Sequence, residues 1–120
     1  MPDLVLKGFI KNYGDAKATW VMEEEKYVAT FKLNGMPATA IYNNSGHRMS
    51  IKVEIKTNQL PAIALSYIER NYPKHKVVMA TKFTDDKRVN TFEAEVKLSG
   101  VSTNLMFNAR GDILKDDGKG

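Results

Sequence analysis

Chemistry needs a nucleophile, a base or a metal ligand, and this chain offers few. It has no cysteine, which removes thiolate nucleophiles, thiolate metal sites and disulfides. Its two histidines are His47, in a predicted hairpin turn, and His75, just past a predicted helix; neither has a partner at a spacing such as HExxH. No P-loop, GxGxxG or GxSxG pattern occurs, and the glycines fall in turns where a positive φ is wanted. Asp112, Asp116 and Asp117 lack the alternating ligand spacing of an EF-hand and read as a frayed acidic tail. Arg110-Gly111-Asp112 spells an adhesion tripeptide, but Gly111 reads more simply as a hairpin residue. Asn43-Asn44-Ser45 matches a glycosylation acceptor but reads more simply as part of a turn that ends at Gly46. The expectation is a protein without catalytic residues, metal ligands or cofactors, and therefore not an enzyme.

Binding is what remains. With 18 basic and 14 acidic residues the net charge is +4, scattered along the chain as on an ordinary solvated surface. The best basic and aromatic cluster is Arg70, Lys74, His75 and Lys76 with Tyr67 and Tyr72, which supports an alternative reading as a module for nucleic acid or another anionic polymer through Arg70, Lys74 and Lys76. The bland reading is stronger, because tyrosines at the core phase of a helix are buried and cations after its C-terminus suit its dipole. Trp20 alternates with Met22 and reads as core rather than as a stacking platform. The early apolar run Leu4 to Leu6 is too short for a membrane span.

The elements that must position any binding surface follow from periodicity. Leu65, Ile68 and Tyr72, with Ala64, give an amphipathic helix after Leu60-Pro61; Thr57 and Asn58 offer caps, Pro61 suits the first turn and Pro73 stops the helix at Tyr72. An earlier helix follows Pro2 and Asp3, with Leu6, Phe9, Ile10 and Tyr13 on one side and Gly8 weakening it. Ala18 to Glu24 reads as a strand. Tyr27 to Asn34 alternates with period two, Asn34-Gly35 is a type I′ hairpin signal, and Met36 to Tyr42 runs back. Asn43 to Gly46 turns into a strand through Met49, Ile51, Val53 and Ile55. After the central helix come a strand from Lys76 to Thr84, a charged loop and an alternating strand through Phe92, Ala94, Val96 and Leu98. Ser99-Gly100 turns it into Val101 to Phe107, and a short strand starts at Asp112.

The second half repeats the first. Tyr27 to Met49 lies over Phe92 to Leu114 at a constant offset of 65, with Ala29/Ala94, Lys32/Lys97, Leu33/Leu98, Gly35/Gly100, Asn43/Asn108 and Gly46/Gly111 identical. At an offset of 59 the helices match through Leu6/Leu65, Phe9/Ile68, Asn12/Asn71 and Tyr13/Tyr72. The expected fold is α+β: two tandem helix-plus-antiparallel-meander units (residues 2–57 and 58–116) forming one sheet with helices on one face, in a single domain ending in a flexible tail at 117–120.

Five stretches carry a family likeness: PDLVLKGFIKNYGDAKATW, YVATFKLNG, LPAIALSYIERNYPKHKV, TFEAEVKLSG and NLMFNARGDIL. They resemble the PepSY-like family, also described as β-lactamase-inhibitor-like, from Pro2 to Leu114, most specifically in the LP-initiated helix ending in NYP and the paired hairpins. The resemblance implies a small exported bacterial protein of the periplasm or cell envelope, with two such units sharing one sheet. It brings no enzymatic activity and no binding residues to transfer. Gly14 stands where a Pro would be usual, and no signal peptide precedes Pro2, so Met1 is expected to be an expression start.

If helices cover one face of the sheet, the other is open, and the pattern assigns it Val28, Thr30, Lys32, Thr39, Ile41, Glu93, Glu95, Lys97, Asn104 and Met106. Val28, Ile41 and Met106 are its expected apolar centre, with the lysines and glutamates as paired charges around them. Its expected occupant is another protein of the envelope; burial in a homodimer, or plain solvation, is the alternative. The core is expected to unite Leu6, Phe9, Tyr13, Trp20, Tyr27, Phe31, Leu33, Leu65, Ile68, Tyr72, Phe92, Val96, Leu98 and Phe107.

Overall fold

A computed structural model describes residues 2–118. Helix α1 spans Asp3–Tyr13, followed by strands β1 (Thr19–Glu23), β2 (Lys26–Leu33), β3 (Met36–Tyr42) and β4 (Arg48–Ile55). Helix α2 spans Ala62–Asn71, followed by β5 (Lys76–Asp85), β6 (Asn90–Leu98), β7 (Val101–Asn108) and β8 (Ile113–Asp116). The fold class is the expected α+β, with two helices and an eight-stranded antiparallel sheet whose strand order is the chain order. Two compact units divide the chain. The first runs up to Val53 and takes in Thr84–Arg88; the second comprises Glu54–Phe83 and the residues from Val89 onward.

In the first unit, β2 pairs with β3 so that Phe31 faces Ala38, Ala29 faces Ala40 and Tyr27 faces Tyr42. These residues share a side, and α1 lays Val5 and Phe9 on it. Phe9 is the centre, its ring 5.0 Å from that of Phe31 and 5.3 Å from those of Tyr13 and Trp20, in the tilted and edge-on geometries that aromatic quadrupoles favour. In the second unit, Ala64 and Ile68 of α2 meet Ala80, Ala94, Val96, Leu105 and Phe107, and Leu60 closes the end. Buried alanines bring each helix close to its strands.

The hairpins form where a type I′ turn can. Asn34 and Gly35 have φ of 52° and 82°, and Ser99 and Gly100 have 52° and 82°. The β1–β2 turn uses the same geometry with two glutamates, Glu24 at 46° and Glu25 at 68°, which no glycine announces. Register shifts occur at Ile41/Tyr42 and at Met106/Phe107, the same place in each repeat.

Several expectations are corrected. Leu6 and Leu98 lie outside the core at 37% and 40% exposure, and Ile10 is further out at 59%. Helix α1 turns Val5 rather than Leu6 inward, because its close approach is set by Gly8: a Cβ there would stand 2.3 Å from the Gly46 carbonyl oxygen. The buried residues form two clusters, one per unit, rather than one shared core. Trp20 packs against its cluster, but Met22, expected on the same side, is exposed near the end of β1. Pro61 is the N-cap of α2 rather than a residue of its first turn, and neither Thr57 nor Asn58 caps it. They form a separate 3₁₀ turn, Thr57–Gln59, in which Gln59 Oε1 accepts the Lys56 N–H at 2.8 Å. The last strand runs to Asp116, and Asp117 is tied down by its N–H to the Asn104 carbonyl at 3.1 Å, so the part of the expected tail that is described is a hydrogen-bonded turn. Lys119 and Gly120 lie outside the described residues.

Candidate protein-interaction face

Strand alternation sends every second residue away from the helix. In the first unit Val28 faces Ile41, Thr30 faces Thr39 and Lys32 faces Pro37, each pair on the side opposite the buried Ala29–Ala40 and Phe31–Ala38 pairs. Val21 of β1 extends the Val28–Ile41 row on one flank and Ser50 of β4 on the other. Val28, Thr39 and Ile41 are half-buried among their neighbours; Thr30 and Lys32 are exposed. In the second unit Glu93 faces Met106 and Glu95 faces Asn104, opposite the buried Ala94 and Val96. Glu93, Asn104 and Met106, with Lys115 and Asp117, line a shallow depression of about 260 Å³. All ten expected face residues therefore point away from the helix of their own unit.

The charges on these faces are not paired as expected. Ser102 Oγ donates to Glu95 Oε2 at 2.7 Å, Lys115 approaches Asp117 at 3.7 Å, and among the described residues neither Lys32 nor Lys97 forms an ion pair. Val28 and Ile41 make an apolar pair within the first unit, whereas Met106, in the second, stands between Glu93 and Lys115.

Of the other candidates, Arg70, Lys74 and Lys76 are exposed, while the tyrosines beside them are engaged within the second unit. The Tyr67 hydroxyl donates to Asp116 Oδ2 at 2.7 Å with its ring edge-on to Phe107, and the Tyr72 hydroxyl donates to Asp116 Oδ1. Burial, then the bond to Asp116 and its charge, push Tyr72 up to about 12 and move Tyr67 the same way. Both hydroxyls are thus committed to Asp116. Arg110 pairs with Asp112 at 2.6 Å, which holds the Asp112 carboxyl below its usual range, and the Gly111 between them is buried. His75 is edge-on to Tyr72, with Nδ1 buried and unpartnered. Among the described residues no three His, Asp or Glu side chains gather closely enough to hold a metal.

Asp116 was not visible as a functional or structural anchor in the sequence, because its partners stand 44 and 49 residues away. A second device was half visible. Asn43 Oδ1 accepts the N–H groups of Ser45 and His47, both at 3.0 Å, and Asn108 Oδ1 accepts those of Arg110, Gly111 and Asp112 at 3.0 to 3.1 Å. The glycine of each turn presses on the start of its helix: a Cβ at Gly46 would lie 2.1 Å from the Leu4 carbonyl oxygen, and one at Gly111 2.8 Å from the Ala64 nitrogen. The repeated Asn and Gly are thus the seats of the two helices.

Solved structures share this arrangement. A DUF2874 family protein from Bacteroides uniformis superposes with a TM-score of 0.84 at 19% identity, over 97% of this chain and 88% of that one. A Bacteroides eggerthii protein described as periplasmic gives 0.84 at 18%, over 96% and 86%. A BLIP-like protein from Bacteroides fragilis gives 0.79 at 18%, over 97% and 85%. The chain has their fold. No family model matches it, and no curated protein does.

Proposed function

We propose that this chain is a non-enzymatic exported binding protein of the PepSY-like, β-lactamase-inhibitor-like group, working as one domain in the periplasm and holding another envelope protein on its open sheet face. The observation that carries this is the division of labour in each unit: the helix and the buried alanines occupy one side of the strands, and a period-two row of half-buried or exposed apolar, polar and charged residues occupies the other. A broad antiparallel surface of this kind is rigid, and a protein partner can cover it in a standard-sized interface. The fold likeness to a BLIP-like protein and to one described as periplasmic supports the same reading. No feature singles out a β-lactamase as the partner.

The test is capture from a periplasmic extract with wild-type protein and with folded Ile41→Asp, Met106→Asp and Lys97→Glu variants. Loss of partners with Ile41→Asp or Met106→Asp is the expected outcome, and Lys97→Glu should slow association more than it weakens the complex. Retention of every wild-type partner by all three variants would refute the proposal.

A further inference from the structure

A polar cleft of about 320 Å³ opens in the first unit between α1, the turn from Gly46 to Arg48 and the loop from Asp85 to Arg88. Lys11, Arg48 and Arg88 bring three cations to it, with His47 beside them. Arg48 is held in place: its Nη1 donates to the Tyr13 hydroxyl at 2.8 Å, and its guanidinium carbon lies 5.9 Å from the centre of the Tyr13 ring. That contact uses one of five guanidinium donors.

Asp85 and Asp86 line the same cleft, yet among the described residues none of the three cations forms an ion pair. Asp85 serves its own loop, with Oδ1 accepting the Lys87 N–H at 2.8 Å and its carbonyl accepting the Arg88 N–H at 3.2 Å. Three cations against two carboxylates leave the cleft net positive. The second unit is the internal control. There Tyr67 stands at the position of Gly8, Asp112 at that of His47 and Ile113 at that of Arg48, and the Tyr67 ring fills space against Phe107. Lys11 has a cation at its repeat position, Arg70, but His47 and Arg48 do not, so the two helix–turn junctions differ in charge.

We propose that this cleft binds the oxyanion group, phosphate or carboxylate, of a small molecule. Arg48 and Arg88 offer forked N–H donors that match a planar or tetrahedral oxyanion, and Lys11 adds a mobile point charge. The volume lies at the lower end of the range for small-ligand sites. This site is separate from the open sheet face and stands whether or not that face binds a protein.

Amide chemical shifts at constant ionic strength test it, with inorganic phosphate in one series and glutamate in another. The expected result is a saturable shift confined to residues 8–12, 46–48 and 85–88. Arg88→Gln should weaken the affinity by about tenfold or more, the loss of a charged hydrogen-bond pair, while Arg110→Gln, outside the cleft, leaves it unchanged. Saturation by phosphate alone names a phosphate group, and by glutamate alone a carboxylate. Arg48→Gln is a second probe if its spectrum stays native. Absence of a saturable shift with both probes up to roughly 50 mM, weaker than any useful site, or unchanged affinity in a folded Arg88→Gln variant, overturns the proposal.

Discussion

The two units keep the same backbone devices and fill them with different side chains. Both have an Asn-anchored turn, a glycine under the helix start, a type I′ hairpin and a register shift at the same repeat position. Their polar interiors differ. In the first, the Tyr42 hydroxyl donates to Asn12 Oδ1 at 2.8 Å and Tyr13 takes a bond from Arg48, whereas the second replaces Tyr42 by Phe107 and ties Tyr67 and Tyr72 to Asp116. A repeat is thus constrained where the main chain must approach closely, and free where a hydroxyl needs only some partner.

The sharpest way to break this comparison is at the helix cores. Phe9→Ala empties the middle of an aromatic cluster and should cost about 3–5 kcal/mol; Ile68→Ala, its repeat equivalent among alanines and aliphatic residues, should fall lower, within about 2–5 kcal/mol. Urea unfolding measures both, and a loss below about 1 kcal/mol at either would remove that residue from the core.

Next come the helix seats. Gly46→Ala and Gly111→Ala each place a Cβ at positive φ, 83° and 102°, against helix backbone, and each should lose about 1–3 kcal/mol. Gly46→Ala should lose more, because its Cβ meets a carbonyl oxygen at the shorter distance. Equal losses in thermal melts would mean that backbone strain alone matters.

The smallest expected effect lies in the tyrosines. A raised pKa means that folding favours the neutral phenol, so the contribution of Tyr72 is complete below the ordinary tyrosine value of about 10 and is lost as pH rises through about 12. Asp116→Asn should move part of the tyrosine titration, followed at 295 nm, to lower pH. It should leave Tyr13 and Tyr42 unmoved, since burial is the main cause of their own upward shifts. An unchanged curve would show that Asp116 does not govern Tyr72.

What was legible in the sequence follows from the same physics. The hairpins at Asn34-Gly35 and Ser99-Gly100 were readable because their positive φ demands particular residues, and the open-face residues because a strand leaves no freedom in which side a residue takes. Helix α1 was misphased because Leu4, Val5, Leu6 and Ile10 are all apolar, so periodicity alone could not choose a face. Gly8, treated as a weakness, held the answer, since a glycine inside a helix marks close approach. Asp116 and the cleft residues were out of reach, because sequence-distant side chains meet there without a repeated pattern.

The simple strand order has a kinetic consequence. Within each unit every strand whose partner is defined pairs with its neighbour along the chain, through turns of a few residues and without a crossover. Closing such short loops costs little entropy, so low contact order should let the meanders zip from their type I′ turns outward on a fast timescale for a β-rich protein. The slower event is then the docking of α1 and α2, whose seats at Gly46 and Gly111 exist only after the β3–β4 and β7–β8 turns have closed.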